Sequence, residues 1–460
     1  MTREIPPFGG YVDEDVQRAV NWIKGYISQD EWSIRYSKIE KSINAIIVNS
    51  FSKGWLIDYP TISIYDDRIG WYLYLLESAL NTPIKYEPNE GARIIPVFKK
   101  LGAELDILKK IGRIEEKIIK MLTIERDQPD STLFEILVSL LWLRNGATKV
   151  DLIEESPPEK RPDISAYLNG KEWNIECKRL SMRANYSHIE KSKWSNMWSD
   201  FSRHLKNKHS LVFEITFHVE LSSLPDDFLS SQLLELLSNT KAPCRLISND
   251  KFTVDVRYTN YKSIKEHLID YRVKFPSEQF IELIGGKRDH NYEFSAIVQG
   301  TFFRLDNSIA NNVFFDDVTF SSAAYWKCDN QQSIRIKARD IKKRLSSAVQ
   351  QLPDNTPSVV HICLETLDGT SVEIARNKKI FNTMSTFTTN EKKLIYVYCH
   401  LIQSYAPPDQ LWVVDETVHY FRKEPFLLPE PLKTRSVIIP EHEADENPTN
   451  APVHWLRPSP

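Results

Sequence analysis

Glu176 and Lys178 stand two residues apart in Trp173-Asn174-Ile175-Glu176-Cys177-Lys178-Arg179, a stretch that reads as a strand. Alternate side chains of a strand share a face, so the carboxylate and the ammonium project together while Cys177 points the other way. Asp163 opens the preceding strand, and Asn169-Gly170 between the two suits a tight hairpin turn, because both turn positions accept positive φ. Antiparallel pairing through that turn brings Asp163 alongside Glu176. Two carboxylates converging on one point suit a hard divalent cation such as Mg²⁺. A third acid, Glu135, lies in Leu133-Phe134-Glu135-Ile136-Leu137-Val138, a helix apolar on nearly every side. An ionised carboxylate there is costly unless paired or metal-bound.

The elements that must position these residues follow from the local pattern. An apolar helix stops at Gly146, a short extended stretch runs over Thr148–Ile153, and a Pro-rich loop leads into the hairpin. Residues 1–125 read as a helical N-terminal region, with Val16, Ala19, Val20 and Ile23 at helical spacing and its tryptophans taken as core packing. Residues 126–180 form the first part of a mixed-sheet core. Residues 181–333 mix helices with strands such as Leu211–Leu221 and Phe252–Tyr258, as a large α/β insertion or second domain. The core resumes over 334–424, where a basic amphipathic helix at 334–352, carrying Ile341, Leu345, Ala348 and Leu352 on one face, feeds the apolar strand Val359–Leu364. A Pro-rich tail, 425–460, reads as extended or mobile. The fold class expected is α/β (α+β overall).

Arg161-Pro162-Asp163, then Ile175-Glu176-Cys177-Lys178-Arg179, with Glu135 on an upstream helix, resembles the PD-(D/E)xK superfamily, which includes restriction endonucleases, Holliday-junction resolvases and phage exonucleases. Four other Pro-Asp pairs, ending at Asp130, Asp226, Asp354 and Asp409, lack an acid-x-Lys within the next 20 residues. The resemblance implies a restriction-endonuclease-like core, a mixed central sheet flanked by helices. It implies that Asp163 and Glu176 ligate Mg²⁺ or Mn²⁺, helped by Glu135 and the backbone carbonyl of Cys177. Lys178 would position or help deprotonate the attacking water. The activity implied is metal-dependent hydrolysis of nucleic-acid phosphodiester bonds, with DNA as the expected substrate and restriction or anti-phage defence as the expected setting. Alternatives left open are an RNA nuclease and a non-cleaving nucleic-acid-binding or assembly protein that keeps the fold.

The formal net charge of −3 means that a polyanion must meet a local basic surface. Lys178 to His209 holds eight Lys/Arg against two acids, interleaved with Tyr186, Trp194, Trp198 and Phe201, and Arg335 to Arg344 holds six against Asp340 alone. Arg179, Lys337, Lys342 and Gln350 are the candidate nucleic-acid contacts on these segments. His361 and His400 lie in apolar strands and read as core histidines. Composition is that of a packed protein, with 41% hydrophobic and 26% charged residues. Five scattered cysteines without a C-x-x-C pair fit reduced thiols and a cytoplasmic setting. No stretch reads as a signal peptide or a membrane span, so a membrane partner is not expected, whereas a second copy or an accessory protein is.

Overall fold

The computed structural model describes residues 11–52, 54–57, 59–60, 62–154, 161–180, 183–238, 241–287, 289–304, 312–389, 392–423, 428–439 and 453–456. The Pro-rich loop at 157–158 and much of the region after 425 lie outside them. The chain is a mixed α/β protein built on two mixed sheets.

Helices α1 (Glu14–Lys24) and α2 (Gln29–Asn49) open the chain, each begun by a side chain that accepts N–H groups of its first turn, Asp13 and Ser28. Strands β1 (Phe51–Ser52) and β2 (Trp55–Leu56) form a small hairpin that the helical periodicity around them concealed. Helices α3 (Arg68–Asn81), α4 (Pro88–Ala103), α5 (Leu105–Leu108) and α6 (Ile114–Thr123) complete this region. Helix α7 (Pro129–Arg144) starts on a proline, whose missing N–H costs nothing at that position, and ends at Gly146 with φ 92°. It buries Phe134, Leu137, Leu141 and Trp142, so it is core on most sides, as its sequence indicates.

The meander follows as β3 (Lys149–Leu152), β4 (Ile164–Leu168) and β5 (Lys171–Arg179). Asn169 (φ 53°) and Gly170 (φ 73°) make the turn, and Leu168 pairs with Lys171 across it. The alternation of Ile164, Ala166 and Leu168 buries one face of β4. Then come α8 (Asn185–Leu205), β6 (Leu211–Phe217), α9 (Phe228–Leu237), β7 (Cys244–Ser248), β8 (Phe252–Tyr258), α10 (Tyr261–Asp270), β9 (Val273–Phe275), α11 (Glu278–Gly285), β10 (Glu293–Arg304) and β11 (Val313–Cys328). These strands, joined by β1 and β2, form an eight-stranded sheet in which β11 and β6 run parallel and the other pairs antiparallel. The N-terminal region therefore contributes strands to the sheet built mainly by residues 211–328.

The expected helix at 334–352 is two helices, α12 (Gln331–Lys337) and α13 (Lys342–Gln351). The first helix ends at Ala338 (ψ 69°), and in the break the Asp340 carboxylate accepts the Thr383 hydroxyl at 2.7 and 2.8 Å. Ile341, Leu345, Ala348 and Leu352 still share a buried face. Strand β12 (Ser358–Glu365) lies parallel to β5, then α14 (Thr370–Thr386), β13 (Leu394–Tyr405) and β14 (Val413–Arg422) follow. The second sheet has the order β14-β13-β12-β5-β4-β3, with β5, β12 and β13 parallel at its centre. This buried centre explains why β12 is buried at every position from Ser358 to Glu365.

The tail corrects an expectation. Leu432, Val437 and Ile438 join the main core, and the Glu416 carboxylate accepts the N–H groups of Val437, Ile438 and Ile439 at 2.8 to 3.1 Å. Val453 and Trp455 pack against the α13–β12 cluster. These parts are docked on the sheet. Among the described residues, no helix is long and apolar enough to cross a membrane.

Candidate active site

Strand pairing brings three acids and two lysines together where α6, α7, β4 and β5 meet. Ile164 pairs with Ile175, so Asp163 falls beside the next step of β5, and its Oδ2 accepts the Cys177 N–H at 2.7 Å. That charge-assisted bond ties the start of β4 to the middle of the motif. Glu176 is fully buried; Lys178, on the same strand face, donates to its Oε1, while Oε2 has no hydrogen-bond partner. Glu135 reaches from α7 and pairs with Lys117 of α6 at 2.6 Å.

The acids feel one another. Burial pushes the Glu176 carboxyl up to about 9, with the Asp163 charge adding to it and Lys178 opposing. Burial likewise raises Glu135 to about 7, again with Asp163 adding and Lys117 opposing. Burial works against the Lys178 ammonium, yet Glu176 and Asp163 outweigh it and raise its pKa. For this pair the direction that holds is a lysine kept protonated beside a carboxyl reluctant to ionise. Burial, reinforced by Asp163, Glu135 and Glu176, also keeps the Cys177 thiol neutral, so it is no nucleophile.

Lys117 is the member that sequence reasoning missed. Its signal was a lysine on the buried stripe of α6, among Ile114, Ile118 and Met121. Other candidates fall elsewhere. Arg179 turns inward, pairing with Glu365 and reaching the Asp130 carbonyl. Lys337 is buried and pairs with Glu190 at 2.8 Å. Both are committed to interior ion pairs, so neither is carried into a nucleic-acid surface here. Lys342 and Gln350 line an open groove along α13 with Lys343, Ser346 and Ser347. Trp194, Trp198 and Phe201 are core: Trp194 stacks on Trp198 and on Trp326. His361 and His400 are a buried pair, 2.9 Å apart, between Trp142 and Glu416.

A second ionic cluster sits behind the site. Arg93 of α4 pairs with Asp130 at 2.8 Å and with Glu365 at 2.9 Å, and Tyr72 donates to Asp130 at 2.8 Å. Asp130 begins α7, Arg179 ends β5 and Glu365 ends β12, so this cluster locks the helix that carries Glu135 to the strand that carries Glu176.

Among the described residues, no group of three or more His, Cys, Asp or Glu side chains is placed to hold a metal ion. Mg²⁺ commonly takes one or two carboxylates and fills its remaining positions with water and substrate oxygens. Asp163 and Glu176, with the orphaned Glu176 Oε2, are suited to that lighter ligand set. In class, the chain is a two-sheet α/β protein with a carboxylate–lysine site on a three-stranded meander. No protein-family model, no curated protein and no solved structure matches it.

Proposed function

We propose that the chain is a metal-dependent nuclease of the PD-(D/E)xK type that hydrolyses DNA phosphodiester bonds within a restriction-endonuclease-like core. The observation that carries this reading is Glu176, a fully buried carboxyl with one oxygen unsatisfied, adjacent to Asp163 and Lys178. Such a group is expensive in a purely structural role and is explained by a cation that completes it. The chain order α7, β3–β5, α13, β12, with β12 parallel to β5, also fits the helix, meander, helix and strand expected of that core.

Asp163 and Glu176 would hold Mg²⁺ or Mn²⁺, with the Cys177 carbonyl as a further donor. The bound ion supplies Lewis-acid polarisation of the scissile phosphate and lowers the pKa of water. Lys178 stays an ammonium, so its part is to hold a phosphate oxygen and offset charge developing there, and not to accept the water proton. Lys117 holds Glu135 at the edge of the cluster. Lys342 and Gln350, on the groove along α13, can meet flanking phosphates.

The test is a panel of single- and double-stranded DNA and RNA with Mg²⁺ or Mn²⁺ and the full chain. Cleavage of DNA should fall by about 10²-fold or more in Asp163→Ala, Glu176→Ala and Lys178→Ala. Equal cleavage by wild type and all three variants would falsify the assignment. Cleavage of RNA alone moves the substrate to RNA. Binding without any cleavage replaces the reading with a nucleic-acid-binding protein on the same fold.

A further inference from the structure

Strand register places α13 over the candidate site. Glu176 pairs with Val360 and Lys178 with Ile362, and residues paired across neighbouring strands share a sheet face. Val360 and Ile362 pack in one cluster with Ile341, Leu345 and Ala348, so α13 covers the face that carries Glu176 and Lys178. The chain leaves α13 at Gln351 and enters β12 at Ser358, which pairs with Asn174. The end of α13 therefore lies at the Asn174 end of β5, and its start at the Lys178 end, where Leu180 joins the same cluster.

The start of α13 is charged against its own dipole. Its first residues, Lys342, Lys343 and Arg344, are exposed, and the first turn holds no acid. A helix start favours anions and is weakened by cations, and α1 and α2 obey this with Glu14, Asp15, Asp30 and Glu31. Asp340 is the one acid between Arg335 and Arg344, and its carboxylate accepts the Thr383 hydroxyl and, at 3.3 Å, the Lys342 N–H. Among the described residues, Lys342, Lys343 and Arg344 form no ion pair, unlike Arg179 and Lys337, which meet buried acids.

Three adjacent cations at a helix start cost stability unless a polyanion lies across them. The outward face runs from Lys342 and Lys343 through Ser346 and Ser347 to Gln350 and includes no apolar side chain. An anionic membrane is gripped by a helix with an apolar face, and an unpaired base by an aromatic ring, so this face suits neither. Lysine and serine side chains suit phosphate oxygens.

We propose that this face of α13 is a track for the DNA backbone that grips without reading sequence, with Lys342 and Lys343 on phosphates flanking the cut one and Ser346 and Ser347 on those beyond. The proposal rests on the nuclease reading for its occupant, because the track and Lys178 lie at the same end of β5.

Fluorescence-anisotropy titrations of the full chain in chelator, with labelled DNA duplexes of two unrelated sequences across about 50 to 200 mM salt, measure the slope of log affinity against log salt. Lys342→Ala and Lys343→Ala should each reduce that slope by about 1 and weaken both sequences equally. Lys262→Ala, which removes an exposed lysine of α10, should leave the slope unchanged. An unchanged slope in both α13 variants overturns the proposal, as does a loss confined to one sequence or an absence of DNA binding at about 50 mM salt. Lysine-dependent binding of phosphatidylserine vesicles without binding of DNA also overturns it and moves the face to a membrane. These titrations do not depend on cleavage, so the two readings fail separately. Cleavage by a wild type whose α13 variants keep its slope removes the track alone, and the expected slopes without cleavage in Mg²⁺ or Mn²⁺ keep the track and remove the nuclease reading.

Discussion

Replacing Glu176 by Gln should make the metal-free protein more stable while removing the cation site. The folded carboxyl holds its proton to about 9, whereas an unfolded one releases it near 4.5. A raised folded pKa contributes stability that is complete below the unfolded value and is lost as pH rises toward the folded value. Each pH unit inside that window costs about 1.4 kcal/mol. At neutral pH the wild type has therefore lost about 3 kcal/mol relative to its own acid state. Glutamine has nearly the same shape and does not titrate. The difference between the two proteins should thus grow in favour of the variant by about 2–3 kcal/mol between about pH 5 and pH 7.

The change with pH is the quantity to trust, because any fixed loss from the altered Lys178 contact cancels in it. Denaturant titrations with chelator present at the two pH values measure it. Added Mn²⁺ should restore the wild type, since an ion that binds only the folded form stabilises it, and should leave the variant unchanged. A stability difference that stays constant across the window refutes the claim that Glu176 is a strained carboxyl awaiting a cation.

Arg93→Met leaves Glu365 and Asp130 with one arginine fewer in a buried cluster, and breaking such a pair costs about 3–5 kcal/mol, to be read as a lowered denaturation midpoint. Its second readout is weaker Mn²⁺ binding without any change in a metal ligand, because α7 and β12, the neighbour of β5, lose a shared anchor. His419 is buried, with both ring nitrogens unsatisfied, and burial lowers its pKa from 6.5 to about 4. Stability should therefore fall as pH drops from about 6.5 toward 4, by up to about 3 kcal/mol, and His419→Phe should remove one proton from that acid limb. Gly170→Ala forces a side chain into positive φ and should cost about 1–2 kcal/mol by thermal or chemical melting.

What could be read from the sequence was short-ranged. Asn169-Gly170 announces its own turn, and Glu176 and Lys178 share a face by strand geometry alone. The apolar run of β12 marks a strand buried on both faces. What could not be read depends on partners far along the chain. Arg93 meets Glu365 across 272 residues, and Asp340, in the break between α12 and α13, meets Thr383. A basic run looks the same whether it faces solvent or neutralises buried acids, so Arg179 and Lys337 gave no sign of their commitment. The docked tail has no periodicity because backbone N–H groups, not side chains, tie it to Glu416.

The two ionic clusters flanking β5 differ in how far their acids are ionised. Behind the sheet, Arg68, Arg93 and Arg179 face Glu90, Asp130 and Glu365, and each acid lies within 4 Å of an arginine. Three arginines meet three acids there, although Glu90 Oε2 and Arg93 Nη2 make no hydrogen bond. At the meander, Lys117 pairs with Glu135 and Lys178 with Glu176, and Glu176 Oε2 is left over. Burial opposes ionisation in both, yet Arg179, Arg93 and Arg68 hold Asp130 below the usual carboxylate range, whereas burial pushes Glu176 up to about 9. On the proposed reading, a divalent ion displaces the Glu176 proton and leaves an excess positive charge for a phosphate to meet.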